Sequence, residues 1–165
     1  MAATTYALRR RFYEKLGKFA AIWASMEAAI DILAIAFARA AEKHPPHNLD
    51  PKIAFIKRLA PIHAPAETSK RLLDTLDRIT ALAETRHTLI HGAAYSEERN
   101  GVSFVVKFGT LLQPRNKTRR PAAAFTAEHI TEFTNRVFDL QGELLDFAEA
   151  LRGRPLNEPR LPSRG

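Results

Sequence analysis

An apolar stripe of helical spacing opens the chain and limits its fold more than any other feature. From Leu8 to about Glu42, large apolar residues recur at steps of three and four, as on the buried face of an amphipathic helix. They are Phe12, Leu16, Phe19, Trp23, Met26, Ile30, Leu33 and Phe37. An unbroken helix over this range would measure roughly 50 Å at about 1.5 Å per residue. We therefore expect a helix that is bent, broken or part of an elongated assembly, and that stops at His44-Pro45-Pro46.

A second side of this helix carries small residues. Ala20, Ala24 and Ala28 follow one another at a spacing of four, which places them in one row along the helix. The row predicts that another backbone can approach the helix closely.

Two further helices are predicted before residue 92. A short one covers Pro51 to Leu59, with a proline in the first turn, where its missing N–H costs nothing. Pro61 and Pro65 are expected to mark the turn that follows. A longer helix runs from about Ala66 to His91, and Gly92 stands where a C-cap is expected.

The last helix has the clearest signals of all. Thr126 is a good N-cap, and Phe125 and Ile130 stand at the positions of a hydrophobic staple. A strict alternation of three and four then continues to Gly153, through Ile130, Phe133, Val137, Leu140, Leu144, Phe147 and Leu151.

Helical periodicity is absent between the third and last helices. Asn100-Gly101, a pair typical of a type I′ turn, precedes the β-forming run from Phe104 to Phe108. We predict an all-α, up-and-down bundle of about four helices with a β-hairpin inserted before the C-terminal helix. Residues 1–153 are expected to form a single helical domain with a basic hairpin insertion at 93–124. Residues 154–165 are expected to form a flexible basic tail.

Composition excludes several classes of chemistry. The chain has no cysteine, which removes disulfides, thiol nucleophiles, zinc fingers and iron–sulfur clusters. Glu27 and Asp31 interrupt the apolar residues of the first helix, so neither a secretory signal nor a membrane span is expected, and the predicted location is cytoplasmic. The net charge of +7 at pH 7 favours a polyanionic partner.

One charged residue stands inside an apolar stripe. On a helical wheel of the third helix, Arg86 falls about 40° from Leu72 and Ile90. An unpaired guanidinium buried there would cost several kcal/mol. Arg86 therefore needs an acidic partner, an aromatic face, a bound anion or a solvated interface. Glu27 and Asp31 are the candidate acidic partners, and a purely structural ion pair with one of them is one interpretation.

The segment around this arginine resembles a known family. Arg86 is followed by the polar His87, and His91 closes the helix five residues after the arginine. This arrangement resembles the R-x4-6-H motif of HEPN domains, and a long first helix bearing Trp23 and Glu27 fits the same pattern. The resemblance covers nearly the whole chain up to Gly153.

The resemblance implies a metal-independent endoribonuclease without a cofactor, whose site forms at a symmetric homodimer interface. His91 would act as general base or acid, Arg86 would hold the phosphate, and His87 with Glu27 or Asp31 would support the site. A toxin or phage-defence role is implied as well. The alternative is a non-catalytic HEPN-like dimer that binds RNA, a nucleotide or a protein partner such as an antitoxin.

Helix geometry gives a reason to expect a dimer. Arg86 and His91 lie about 140° apart on an ideal helix, so one straight helix is not expected to direct both at a single phosphate. A two-fold axis beside the helix end would place both residues of two chains around one cleft.

The spacing of His87 and His91 also suits a metal ion. A metal site there would need further ligands from His63, His129 or Glu84. We predict no metal site.

Positive charge is concentrated after the motif. From Arg99 to Arg120 there are six basic residues and no acidic one. Of these, Arg115, Lys117, Arg119 and Arg120 are predicted to contact the RNA backbone. Tyr95, Phe104 and Phe108 could stack on bases, but packing on the helices is the favoured role of these aromatic residues.

Overall fold

The computed structural model describes residues 2–91, 93–100, 103–109 and 123–152, with the backbone alone at 2–5, 93–100, 103 and 109. Four helices and a small antiparallel sheet make up this part of the chain. The helices are α1 (Ala2–Ala40), α2 (Leu49–His63), α3 (Ala66–His91) and α4 (Ala127–Arg152), and the strands are β1 (Ala93–Asn100), β2 (Ser103–Gly109) and β3 (Ala123–Phe125). The predicted all-α fold with a hairpin between the motif helix and the last helix is confirmed.

The helix bounds agree with the end signals in most places. α3 has the predicted bounds, while its expected C-cap, Gly92, lies outside the described residues. α1 is a single helix of 39 residues. The prediction for α2 was wrong at both ends, because the helix begins at Leu49 and continues through Pro61 to His63. The proline lacks an N–H to donate, but the next turn still closes through the Ala64 N–H and the Ala60 carbonyl at 2.9 Å.

α1 ends in a left-handed turn. The Lys43 N–H donates to the Ala38 carbonyl over 2.9 Å, and Glu42 adopts a φ of 52°. This bonding pattern is a Schellman motif, in which glycine is the usual residue at the left-handed position. The two prolines after it cannot extend the helix, so the motif stops α1 shortly before them.

The cap predicted for α4 is present and reciprocal. The Thr126 hydroxyl accepts from the His129 N–H at 3.3 Å, and the Thr126 N–H donates to Nδ1 of His129 at 3.3 Å. His129 thus takes the place that glutamate has in a capping box. The staple residues Phe125 and Ile130 are both buried.

The sheet has one strand more than the predicted hairpin. β1 pairs with β2 in antiparallel register from Ala93 and Gly109 to Asn100 and Ser103, with an irregularity between Ala94 and Ser96. β3 then pairs with β2 on its other side and gives the strand order β1-β2-β3.

The chain divides into two compact units. Unit 1 comprises Met1–Trp23 and Ala81–Arg136, and unit 2 comprises Ala24–Thr80 and Val137–Gly165. An aromatic cluster fills unit 1, where the Phe12 ring lies 6.0 Å from Phe104 and 6.3 Å from Phe108 of β2. Phe108 in turn lies 5.9 Å from Phe125 of β3. These contacts attach the sheet to α1.

Unit 2 has a largely aliphatic core with side chains from all four helices. Its large, fully buried members are Met26, Ile30, Leu33, Phe37, Ile56, Leu72, Leu76, Ile79, Val137 and Leu144. Lys52 forms an ion pair with Asp31 across α2 and α1, and Lys57 lies 2.5 Å from Asp77 of α3.

α1 is apolar enough to meet a simple test for a membrane span. Its Tyr6–Ala40 segment includes an 18-residue window of mean hydropathy 1.7. Buried core residues such as Phe19, Trp23 and Ile30 contribute to this value, and 39% of the window is buried. A core helix of a soluble protein passes the same test, and the cytoplasmic location stays a prediction.

A polar network links α3 and α4 inside unit 2. The hydroxyl of Thr75, which is 1% exposed, donates to Oε2 of Glu143 at 2.7 Å, and Arg78 forms an ion pair with the same carboxylate. Burial acts to raise the pKa of Glu143, but the hydrogen bonds from Thr75 and Arg78 and the charges of Arg78 and Arg71 outweigh it. The pKa of Glu143 is therefore lowered from its ordinary value of 4.5.

Glu143→Gln is expected to cost about 1 kcal/mol of unfolding free energy at pH 7, because the side chain loses a charge-assisted hydrogen bond but is partly solvated. Since the folded pKa lies below the unfolded one, ionised Glu143 stabilises the fold above pH 4.5 and loses this effect as the pH falls through the lowered value. Urea denaturation from pH 7 to pH 3 should show the difference from wild type shrinking in acid. Glu149→Gln, at an exposed position of α4, is the matched control. A deficit that stayed constant with pH would contradict the assignment.

Candidate functional site

Arg86 lies on the inward side of the last turns of α3. It follows the fully buried Ile79 by seven residues and precedes Leu89, which is 2% exposed, by three. The side chain is half-buried, and its guanidinium carbon lies 5.9 Å from the centroid of the Trp23 ring. A guanidinium over an indole face is attracted by the ring quadrupole. The aromatic face of Trp23 is thus one partner of Arg86, the charged residue in the apolar stripe of α3.

Arg86 and His91 meet within a single chain. Nη1 of Arg86 lies 3.0 Å from Nε2 of His91. A guanidinium can only donate, so in this hydrogen bond Nη1 of Arg86 donates and Nε2 of His91 accepts. The long arginine side chain spans the angle between the two positions on the helix. The expectation that one straight helix does not direct both residues at a single phosphate stays a prediction. A second chain is not required to form the pair.

His87 completes a cluster at the end of the helix. Its ring centroid lies 5.2 Å from that of His91, and both rings are exposed. We call Arg86, His87 and His91 the Arg–His cluster. The C-terminal end of a helix carries partial negative charge, which favours cationic side chains at this place.

Metal ligation was the other interpretation of the two histidines. In the part of the chain that the structure describes, no three His, Asp or Glu side chains come together as a metal site would need. His129, one of the further ligands considered, instead caps α4.

The acidic candidates belong to unit 2. Asp31 is paired with Lys52, and Glu27 is half-buried on α1. Their role as acidic partners of Arg86 stays a prediction, as does the interpretation of Arg86 as a structural ion pair.

The basic segment from Arg99 to Arg120 falls largely outside the described residues. This holds for Arg115, Lys117, Arg119 and Arg120, whose predicted contact with RNA stays a prediction. The favoured packing role is observed for Phe104 and Phe108, which are 6% and 3% exposed and therefore have no free face for a base. The side chain of Tyr95 lies outside the description.

Charge is divided unequally between the units. The segments of unit 1 contain 13 lysines and arginines and 6 acidic residues, which gives the whole net charge of +7. The segments of unit 2 contain 12 basic and 12 acidic residues and are neutral. The Arg–His cluster therefore belongs to the unit that would attract a polyanion.

Trp23 is the site residue that sequence reasoning did not assign. It was counted with the core stripe, and it is indeed 1% exposed. One face of its ring nevertheless supports the guanidinium of Arg86. The available signal was that an arginine inside an apolar stripe needs a partner such as an aromatic face. Periodicity alone could not show which aromatic residue of α1 provides that face.

Comparison with known proteins does not assign the chain to a family. No protein-family model matches the chain, no curated protein matches it in sequence, and no solved structure matches it. The resemblance to HEPN domains therefore depends on the motif and the order of the elements.

Proposed function

We propose that this protein is a metal-independent endoribonuclease of HEPN type, with Arg86 and His91 as its catalytic pair. The observation that carries the proposal is the 3.0 Å contact between Nη1 of Arg86 and Nε2 of His91 at an exposed helix end. It supports the proposal because it combines a phosphate-binding fork and a proton acceptor in one place.

The chemistry follows from these groups. An RNA phosphate draws the Arg86 guanidinium away from His91, because a phosphate accepts two parallel hydrogen bonds from it. The freed Nε2 of His91 takes the proton of the 2′-hydroxyl, whose oxygen forms a bond to phosphorus while the bond to the 5′-oxygen breaks. Arg86 stabilises the charge that develops on the phosphoryl oxygens. The leaving oxygen takes a proton from a protonated His87 or from water, and the products carry a 2′,3′-cyclic phosphate and a 5′-hydroxyl.

The charge of unit 1 supports RNA as the substrate. Its net charge of +7 would raise the local concentration of RNA near the cluster. A toxin or phage-defence role and control by an antitoxin remain parts of the proposal that rest on the resemblance alone.

The test is cleavage of RNA oligonucleotides, single-stranded and structured, in the presence of EDTA. We expect cleavage with a 2′,3′-cyclic phosphate end. The matched control substrate carries one 2′-deoxy nucleotide at the mapped cleavage position, and it should resist cleavage there because the attacking hydroxyl is missing. Absence of cleavage with EDTA, or equal cleavage of the 2′-deoxy substrate, would overturn the proposal.

A non-catalytic RNA-binding protein is the second candidate. The observation in its favour is that Arg86 occupies the lone pair of His91 that catalysis would need. This candidate predicts RNA binding that weakens with salt and no product in the same assay.

A further inference from the structure

The first half of α1 carries the positive charge of the helices in unit 1. Residues 6–23 include five basic residues and one acidic residue, a net charge of +4, and all of their side chains are described. The other helical segments of the unit do not add to this charge, because 81–91 is neutral and 127–136 carries −1. Among the described helices, α1 is therefore where unit 1 attracts a polyanion most strongly.

Three of these cations share one side of the helix. Arg11, Lys15 and Lys18 follow one another at steps of four and three, in a row roughly 10 Å long at about 1.5 Å per residue. We call these three residues the α1 basic row. Arg11 and Lys18 are exposed, and Lys15 is half-buried. A line of cations on the surface is the arrangement that follows the backbone of a single-stranded nucleic acid.

The chain itself neutralises little of this row. Arg11 forms an ion pair with Glu128 of α4 at 3.2 Å, but both side chains are exposed, so solvent screens the pair and a phosphate can replace it. Lys15 and Lys18 form no ion pair with a carboxylate in the part of the chain whose side chains the structure describes. Two of the three charges are thus available to an external anion.

The row destabilises its own helix. Residues three or four apart on a helix are neighbours, and like charges at these spacings repel each other. Lys15 has a cation on either side, with Arg11 four residues before it and Lys18 three residues after it. The carboxylate of Glu14 does not relieve this repulsion, since it pairs with Arg10 at 2.7 Å. A polyanion bound along the row would offset the repulsion.

The row begins close to the Arg–His cluster. Lys18 precedes Trp23 by five residues, which is about 8 Å along the helix axis, and the Trp23 ring supports the guanidinium of Arg86. One strand of nucleic acid advances roughly 3.4 Å per nucleotide in a duplex, so a segment of about four nucleotides is long enough to reach both.

Small residues form the surface of α1 between the row and the cluster. Around the exposed side of the helix from Lys18 toward Trp23, the positions at this level are Ala21, Gly17 and Ala20. Ala21 and Gly17 are exposed, and a Cβ added at Gly17 would meet nothing within 4 Å. No long side chain of α1 therefore stands at this level in the way of a strand that crosses the helix.

We propose that the α1 basic row binds the sugar–phosphate backbone of single-stranded RNA that enters the Arg–His cluster, and that the strand crosses α1 over Gly17 and Ala21. Phosphate contacts of this kind hold a strand in position and carry no sequence information. The choice of RNA rests on the proposed function, but binding along the row does not require cleavage.

The experiment measures binding of a fluorescent 2′-O-methyl RNA of about twelve nucleotides by anisotropy, between about 50 and 200 mM salt. The probe has no free 2′-hydroxyl on its internal nucleotides, so the proposed chemistry cannot cleave it. Lys15→Gln combined with Lys18→Gln should make the plot of log affinity against log salt less steep by about 1.4, at roughly 0.7 per phosphate contact. The same slope predicts a loss of affinity of roughly 10- to 30-fold at about 100 mM salt.

Two further variants make this result specific. Arg39→Gln combined with Lys43→Gln is the matched control, because it removes the same charge from two exposed positions at the other end of α1 and in the turn after it. It should leave the slope unchanged. Lys18→Gln alone changes only an exposed side chain, so the fold should tolerate it, and the slope should fall by about 0.7. Circular dichroism verifies that each variant is folded.

Gly17→Gln tests the crossing over α1. It should raise the thermal midpoint, because glutamine favours a helix over glycine, but weaken RNA binding because a long side chain then stands in the way of the strand. Unchanged RNA binding by this variant would overturn the crossing.

The row itself is overturned if wild type does not bind the probe, if the lysine variants keep its affinity and slope, or if the control loses as much. A row that binds an acidic protein instead would give the second of these results. The ribonuclease proposal fails separately: the expected change of slope without cleavage in EDTA leaves the row in place, whereas cleavage with an unchanged slope removes the row alone.

Discussion

Replacing His91 by alanine is expected to lower metal-free RNA cleavage by about 10²- to 10⁴-fold, which is the usual contribution of a positioned acid or base. The fold should remain intact, because the imidazole is exposed at the end of α3 and contacts Arg86 and His87 rather than the core. The measurement is the single-turnover rate in EDTA, with circular dichroism and thermal midpoints recorded for the same samples.

Two variants make the result specific. His44→Ala removes an exposed histidine from the loop after α1 and should leave the rate unchanged. Arg86→Lys keeps a positive charge but loses the planar fork, so we expect a loss of rate even though the charge is retained. Unchanged cleavage by folded His91→Ala protein would remove His91 from the catalytic pair.

Arg86→Ala is a weaker test of catalysis than His91→Ala. The guanidinium covers a face of the buried Trp23 ring, so its removal also exposes apolar surface. A loss of activity in that variant would mix chemistry with packing. The exposed position of His91 avoids this ambiguity.

The elements that could be predicted are those whose ends have local chemical signals. Thr126 caps α4 through its own hydroxyl, and α3 ends at the residue before Gly92. Each of these signals acts over a few residues, so it can be found from the sequence without knowledge of the tertiary structure. Asn100, which was predicted in the hairpin turn, instead ends β1 and pairs with Ser103, while Gly101 lies outside the described residues.

The features that were missed depend on contacts between distant residues or on side-chain reach. β3 has three residues, too few for a periodic pattern, and exists through pairing with Val106, Lys107 and Phe108 of β2. The contact between Arg86 and His91 was missed because a helical wheel gives the direction of each Cβ but not the reach of a long side chain. The support of Arg86 by Trp23 likewise joins two helices that are far apart in the chain.

Phe12→Ala should have the largest effect on stability, about 3–5 kcal/mol of unfolding free energy, because it removes a fully buried ring and leaves a cavity. The ring contacts Phe104 and Phe108 of β2 and the ring of Tyr13, so several aromatic contacts are lost together. Urea denaturation followed by circular dichroism measures the change.

Because the contacts of Phe12 join α1 to β2, the effect should extend to the sheet. Hydrogen exchange at β2 amides should accelerate in Phe12→Ala, since the strand loses the ring against which Phe104 and Phe108 pack. Phe12→Leu should recover most of the stability by keeping apolar volume. Tyr6→Ala is the matched control on the same helix, because Tyr6 is 70% exposed and its removal should cost little. Equal effects of Phe12→Ala and Tyr6→Ala would show that the aromatic cluster does not hold the sheet on α1.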